Sequence, residues 1–235
     1  MHTPSLPSRA PLWPLLAALP LLAAWDLSGL DLTLAHAAGT AAGFALREHW
    51  LLTTVLHQGG RAIAWALALA LVLAVWWPVG ALQRLSYARR LQLAVTPMVI
   101  TALVGLLKSQ SGTSCPWSLA EFGGITPYQS HWLDFLASGG ARGHCFPAGH
   151  AMAGFCFVGG YWVFRDQEPR LARIWLAAAL GAGLLLGVGQ QLRGAHFMSH
   201  TLWSGWIACA AALAVDTVRW RNARGAPSAA MGVQS

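Results

Sequence analysis

Apolar runs close to the length of a bilayer crossing recur along this chain, and they limit what it can fold into more than any other feature. About 20 apolar residues in a helix cover the hydrocarbon thickness. Six segments approach that length, at residues 12–30, 62–82, 91–107, 151–164, 174–192 and 202–218, the shorter ones extended by their flanks. The chain is 56% hydrophobic and 10% charged, where soluble domains carry about a quarter charged residues. It is therefore expected to be an all-α polytopic membrane protein, a six-transmembrane-helix bundle. One domain, residues 1–224, accounts for the length, and the polar tail, 225–235, is expected to be disordered and cytoplasmic.

Fifteen basic against eight acidic residues give a net charge of +7. The arginines are scattered among short loops instead of forming one patch, which argues against a nucleic-acid partner. Arg84, Arg89 and Arg90 follow the second apolar run, Arg165, Arg170 and Arg173 the fourth, and Arg219, Arg221 and Arg224 the sixth. By the positive-inside rule these loops and both termini are cytoplasmic, so residues 30–61, 108–149 and 193–200 face the opposite side, the periplasm in a bacterium. No small-residue cleavage site follows the first run, so it reads as a retained helix and not a signal peptide. Between the first two runs, residues 44–57 place Trp50, Leu51 and Val55 near one face, as an interfacial helix would.

The outer side gathers unusual polar residues. Lys108 is the only lysine, beside fourteen arginines, and it stands at the outer end of the third run. Cys145-Phe-Pro-Ala-Gly-His150 leads into the fourth run, and Arg193-Gly-Ala-His-Phe-Met-Ser-His200 joins the fifth to the sixth. Each alone reads as interfacial polar residues or a snorkelling lysine. Together they describe an anion site: Gly149 permits close backbone approach at a helix start whose N–H groups attract anions. His150 is suited to proton transfer, Arg193 to phosphate oxygens, and His196 and His200 share a helix face. The competing reading is a zinc or copper site on His150, His196, His200 and His144. No carboxylate stands close to them in sequence, and Lys108 and Arg193 would repel a divalent ion.

These fragments resemble, over residues 108–204, the three motifs of the type 2 phosphatidic acid phosphatase superfamily, whose catalytic core is shared with bacterial acid phosphatases and vanadium haloperoxidases. The family patterns are K-x6-R-P, P-S-G-H and S-R-x5-H-x3-D. The chain has Lys108-x6-Cys115-Pro116, Pro147-Ala148-Gly149-His150 and Gln190-x5-His196-x3-His200. Order, spacing and membrane side agree, whereas Cys115, Ala148, Gln190 and His200 depart from the pattern. The whole looks like a bacterial membrane-associated branch of the superfamily.

The resemblance implies a metal-independent lipid phosphatase of the inner membrane that needs no cofactor. In it His196 is the nucleophile, His150 the acid that protonates the leaving oxygen, and His200 stands where the family's orienting aspartate would be. Lys108, Arg193, Gly149 and Gln190 would surround the phosphate, with Arg193 compensating for Gln190 from the next helical turn. The implied partners are a lipid phosphate or diphosphate and the surrounding membrane lipids. A lipid phosphotransferase shares every motif, and a non-catalytic anion- or metal-binding membrane protein is the alternative in which the departures mark a lost enzyme. Cys115 and Cys145 both fall in the outer loop between Lys108 and His150, so a disulfide between them is expected, with Cys156 and Cys209 reduced. The alternative is four buried thiols.

Overall fold

A computed structural model describes residues 11–136 and 143–225. In chain order these are helices α1 (Trp13–Leu27) and α2 (Leu30–Ala38), a two-residue hairpin β1 (Gly39–Thr40) and β2 (Gly43–Phe44), then α3 (Leu51–Leu73), α4 (Tyr87–Gln110), α5 (His131–Leu136), α6 (Met152–Phe164), α7 (Pro169–Leu192) and α8 (Met198–Gly225). The hairpin pairs Gly39 with Phe44 in antiparallel register and is the one named sheet among the described residues of a helical bundle. Residues 226–235, most of the expected tail, lie outside the described residues, and α8 runs through Gly225.

Four helices are long and apolar enough to cross a membrane: α3, α4, α7 and Met198–Val218 of α8. A fifth crossing is counted if α1 and α2, which meet at 61°, form one broken span. The bend falls at Gly29, whose φ of +73° lies in the left-handed region that ends α-helices. The fourth expected span is α6, which falls short of the roughly 20 residues a crossing needs. It forms the buried heart of the bundle, with Phe155, Val158, Val163 and Phe164 at 2% exposure or less.

Close packing of α6 rests on small residues. A Cβ on Gly154 would lie 2.2 Å from the backbone nitrogen of Gly183 on α7, so backbone meets backbone there, as in many membrane helix pairs. The second expected run is also displaced. Residues 44–57 are no separate interfacial helix; Leu51–Gly59 is wound as a π-helix continuous with Gly60–Leu73, and the helix ends before Trp77-Pro78.

α4 sets the distance between the two ends of the molecule. Ser86 caps it by accepting from the backbone N–H of Arg89, and Lys108 sits in its last turn, where a cation complements the helix dipole. Nineteen residues at 1.5 Å each separate Arg89 from Lys108 by about 29 Å, close to the hydrocarbon thickness. At the Arg89 end, that guanidinium donates to Asp166 Oδ2 (3.0 Å), Asp216 Oδ1 (3.2 Å) and the Trp162 carbonyl (3.1 Å), while Arg165 donates to Asp216 Oδ2 at 3.1 Å. The candidate site lies at the other end.

Candidate active site

Three connections converge at the Lys108 end. After α4 the chain turns extended at Ser111, and residues 112–115 run beside 143–145: Gly143 N donates to Gly112 O at 3.2 Å and Cys145 N to Thr113 O at 3.0 Å. The Cys115–Cys145 disulfide closes this ladder, with Cα atoms 5.2 Å apart and a sequence separation of 30. Cys156 and Cys209 are free thiols. Trp117 N donates to Gly194 O at 2.9 Å and Ala148 N to His200 O at 3.3 Å, so the first and second connections are both tied to the third.

The third connection exists because α7 stops at Arg193. Gly194 takes a φ of +73°, and its N–H and that of Ala195 satisfy the carbonyls of Gln191 and Gln190 at 2.9 Å each. A Cβ at Gly194 would lie 2.3 Å from the Phe44 ring, so the hairpin closes over this turn. The chain then re-enters helix at Met198 and leaves His196 facing inward, 2% exposed.

His196 is held by main chain. Its Nδ1 lies 2.7 Å from the Cys145 carbonyl oxygen; a carbonyl only accepts, so Nδ1 carries the proton and the Nε2 lone pair is free. That Nε2 lies 3.5 Å from His150 Nδ1. His200, where the family's orienting aspartate would stand, makes no hydrogen bond to His196 among the described residues. Their ring centroids are 5.9 Å apart, and His200 packs among Phe146, Phe197 and His131 with its buried Nδ1 unpartnered among the described residues. His200 therefore stands behind His196, its ring also interacting with the Cys145 backbone, while the Cys145 carbonyl takes the orienting place beside His196.

The cations surround this pair. A Cβ on Gly149 would meet Cδ, Cε and Nζ of Lys108 at 3.6 to 3.8 Å, so the lysine stem lies along that glycine. Gln190 is buried and its Oε1 accepts from Arg193 Nη1 at 3.1 Å, while Arg193 Nε donates to the Arg47 carbonyl at 2.7 Å. Arg193 thus sits one turn beyond Gln190 and is fastened to it. Burial first, then the positive field of His57, Lys108, Arg193 and Arg61, pushes the His150 pKa down to about 3. Burial and the Lys108 charge hold His196 well below the ordinary histidine value. Both rings are neutral at pH 7.

A cavity of about 590 Å³ opens beside them, with His57, Arg61, Gly149, His150 and Gln190 on one part of its wall and apolar residues such as Trp65, Met98 and Phe157 on the rest. His150 lines this cavity and touches His196, which does not. Among the described residues no three His, Cys, Asp or Glu side chains converge as metal ligands would; His144 turns away, its Nδ1 donating to the Lys108 carbonyl at 3.1 Å.

Sequence reasoning missed three participants. The Cys145 carbonyl carries no sequence signal, since every residue has one. His57 was placed on an interfacial helix, yet its ring lies 4.2 Å from that of His150. Arg61 was read as a loop end; an arginine inside an otherwise apolar helix was the available clue, visible only once the helix is started at Leu51.

No curated protein and no solved structure shows a significant match to the chain. A family model does: that of the PAP2 superfamily matches residues 90–224. The match spans more than half of the chain and takes in every residue of the histidine, lysine and glutamine cluster described above except His57 and Arg61. The chain belongs to the PAP2 superfamily.

Proposed function

We propose that the protein is an integral-membrane phosphatase of lipid phosphates or diphosphates, of the bacterial inner membrane, with its site at the periplasmic face and both termini in the cytoplasm. The observation that carries this reading is the His196–His150 pair: a buried imidazole whose Nδ1 proton is committed to a carbonyl and whose Nε2 lone pair faces a second imidazole at 3.5 Å. An imidazole locked in that tautomer is a nucleophile. Its attack on phosphorus forms an Nε2–P bond while the bond to the leaving oxygen breaks, and His150 supplies the proton to that oxygen. Lys108, the Gly149 N–H, Gln190 and Arg193 hold the phosphoryl oxygens, where charge grows in the transition state. Water then cleaves the N–P bond with His150 as base.

Attack at about 3 Å from phosphorus, with the acid hydrogen-bonded to the departing oxygen opposite, needs roughly 7 Å between the two nitrogens. The 3.5 Å gap is shorter, so His150 swings back as substrate enters from the cavity. Its place in the turn before α6 allows this movement. The apolar part of the cavity suits a lipid tail, which fits a substrate presented from the bilayer.

Phosphate release from a panel of lipid phosphates and diphosphates in EDTA tests the reading, together with acid-labile labelling located by mass spectrometry. Phosphate release with label on His196 is expected. His196→Ala and His150→Ala should each lower turnover by at least about a thousandfold in folded protein. Label on another residue, or undiminished turnover by His196→Ala, overturns the proposal. Transfer of the phosphoryl group to a second lipid in place of water would mark a phosphotransferase.

A further inference from the structure

Two residues on the cavity wall have no part in the chemistry above. His57 stacks near His150, with ring centroids 4.2 Å apart, and Arg61 follows four residues later on the same wall. Both belong to α3, where the π-helical turn passes into α-helix, a transition often found at functional sites. Arg61 is ten residues from Leu51, about 15 Å along the axis of a helix long and apolar enough to span. An unpaired arginine at that depth is costly unless it faces a polar cavity and meets an anion. Among the described residues it has no ion pair or side-chain hydrogen bond, and no residue on the cavity wall is acidic. Arg61 is exposed on this wall, so its guanidinium is open to an anion in the cavity.

The position of Arg61 says which part of the occupant. His150 contacts both His196 and His57, so the proton donor stands between the nucleophile on one side and the His57–Arg61 pair on the other. The group that leaves phosphorus as His196 bonds to it receives its proton from His150 and departs on the His57 side. Beyond Arg61 the same wall continues as Ala64, Trp65 and Ala68, which can hold only an apolar chain.

We propose that His57 and Arg61 form a second anion subsite, which binds the leaving-side phosphoryl group of a lipid diphosphate and makes the enzyme selective for diphosphates over monophosphates. The inference rests on the phosphatase reading. The terminal phosphorus forms its bond to His196 Nε2 as its bond to the bridging oxygen breaks. The bridging oxygen takes the proton of His150 and leaves as the lipid monophosphate, its charge held by Arg61 with a hydrogen bond from His57. Water releases inorganic phosphate from His196 and returns a proton to His150. Lys108 and Arg193 serve the terminal phosphate and Arg61 the inner one, so each phosphoryl group has its own cations.

The test compares a prenyl diphosphate with the prenyl monophosphate of equal chain length, on wild type, Arg61→Gln, Arg61→Lys and His57→Phe. Arg61→Gln is expected to lower kcat/KM about 100-fold for the diphosphate and less than about threefold for the monophosphate, in keeping with loss of a charge-assisted bidentate contact. Arg61→Lys should recover part of the loss. His57→Phe keeps a ring against His150 and should show the same bias more weakly; it carries the comparison if Arg61→Gln does not purify. Equal losses on both lipids, or no loss on either, overturn the subsite. Binding of the prenyl methylenebisphosphonate and of the prenyl monophosphonate, followed by tryptophan fluorescence, reads the subsite without turnover. Wild type should bind the bisphosphonate about 100-fold more tightly, and Arg61→Gln should lose that preference. Wild type that turns over neither lipid and forms no phosphohistidine sinks the phosphatase reading, while wild type with no preference for the bisphosphonate sinks the subsite.

Discussion

His196 is oriented by the Cys145 carbonyl, and this changes what the histidine can do. A carboxylate in that place would orient the ring and stabilise the imidazolium that forms along the reaction; a neutral carbonyl does only the first. Beside it, burial first and then the surrounding positive charge, that of His57, Lys108 and Arg193 foremost, hold the His150 pKa at about 3. A ring with so low a pKa has no proton to donate at pH 7, and it becomes an acid only when a bound anion cancels the field around it. Folded-state pKa therefore rises from about 3 toward the ordinary value when a phosphate analogue binds, and binding takes up protons. Calorimetry of vanadate binding at pH 7 in two buffers of different ionisation enthalpy should report uptake of about a quarter of a proton per site, the occupancy of a histidine at its ordinary pKa, strongly reduced in His150→Gln. Uptake of zero by wild type would show that the cations do not control His150. Tautomer assignment of His196 by nitrogen NMR is the companion measurement, with the proton expected on Nδ1.

At the scale of elements, the site depends on a loop fastened to itself. The ladder between residues 112–115 and 143–145 and the Cys115–Cys145 disulfide hold the very carbonyl that orients His196. Closing a loop of this size stabilises the fold by about 3 to 4 kcal/mol in the chain-entropy model. Cys115→Ser should accordingly lower the melting temperature, and it should also lower kcat about tenfold or more at temperatures well below that melt, because the carbonyl is freed to move and near-attack geometry is lost. Loss of stability with kcat intact would mean the backbone ladder alone positions Cys145. The opposite end of the bundle gives a contrasting case. Asp216 accepts from Arg89, Arg165 and Gln92, and with only 6% of its side chain exposed it neutralises two buried guanidinium groups. Asp216→Ala leaves both without their shared partner and should cost about 3 to 5 kcal/mol in unfolding free energy. Detergent denaturation should show that loss with KM unchanged, since the site is about 29 Å away along α4.

The whole molecule is polar at two ends and apolar between them. Lys108, His150 and His196 mark one end, the Arg89–Asp216 network the other, and the arginine-rich connections belong to the second. The proposed orientation, from the positive-inside rule, has the site outside. An alkaline phosphatase fusion after Gln129 should be active and one after Arg224 inactive; the reverse pattern would turn the molecule over and move the substrate to the other leaflet. The number of crossings does not alter this prediction, because α4, α7 and α8 each run between the two ends.

Legible in the sequence were the class and the residues of the candidate site: apolar runs with few charges dictate helices in a bilayer, and motif spacing singled out Lys108, Gly149, His150, Gln190, Arg193, His196 and His200. These are local properties, encoded in composition and in separations of a few residues. Tertiary structure alone decided that α6, the shorter apolar helix, is buried at the heart of the bundle, with its Gly154 packed against the backbone of Gly183. It also decided what orients His196, which is a backbone atom brought from 51 residues away. The same holds for His57 and Arg61: their meeting with His150 depends on how α3 packs beside α4 and α6, and no pattern of residue types along one chain states which helix faces come together.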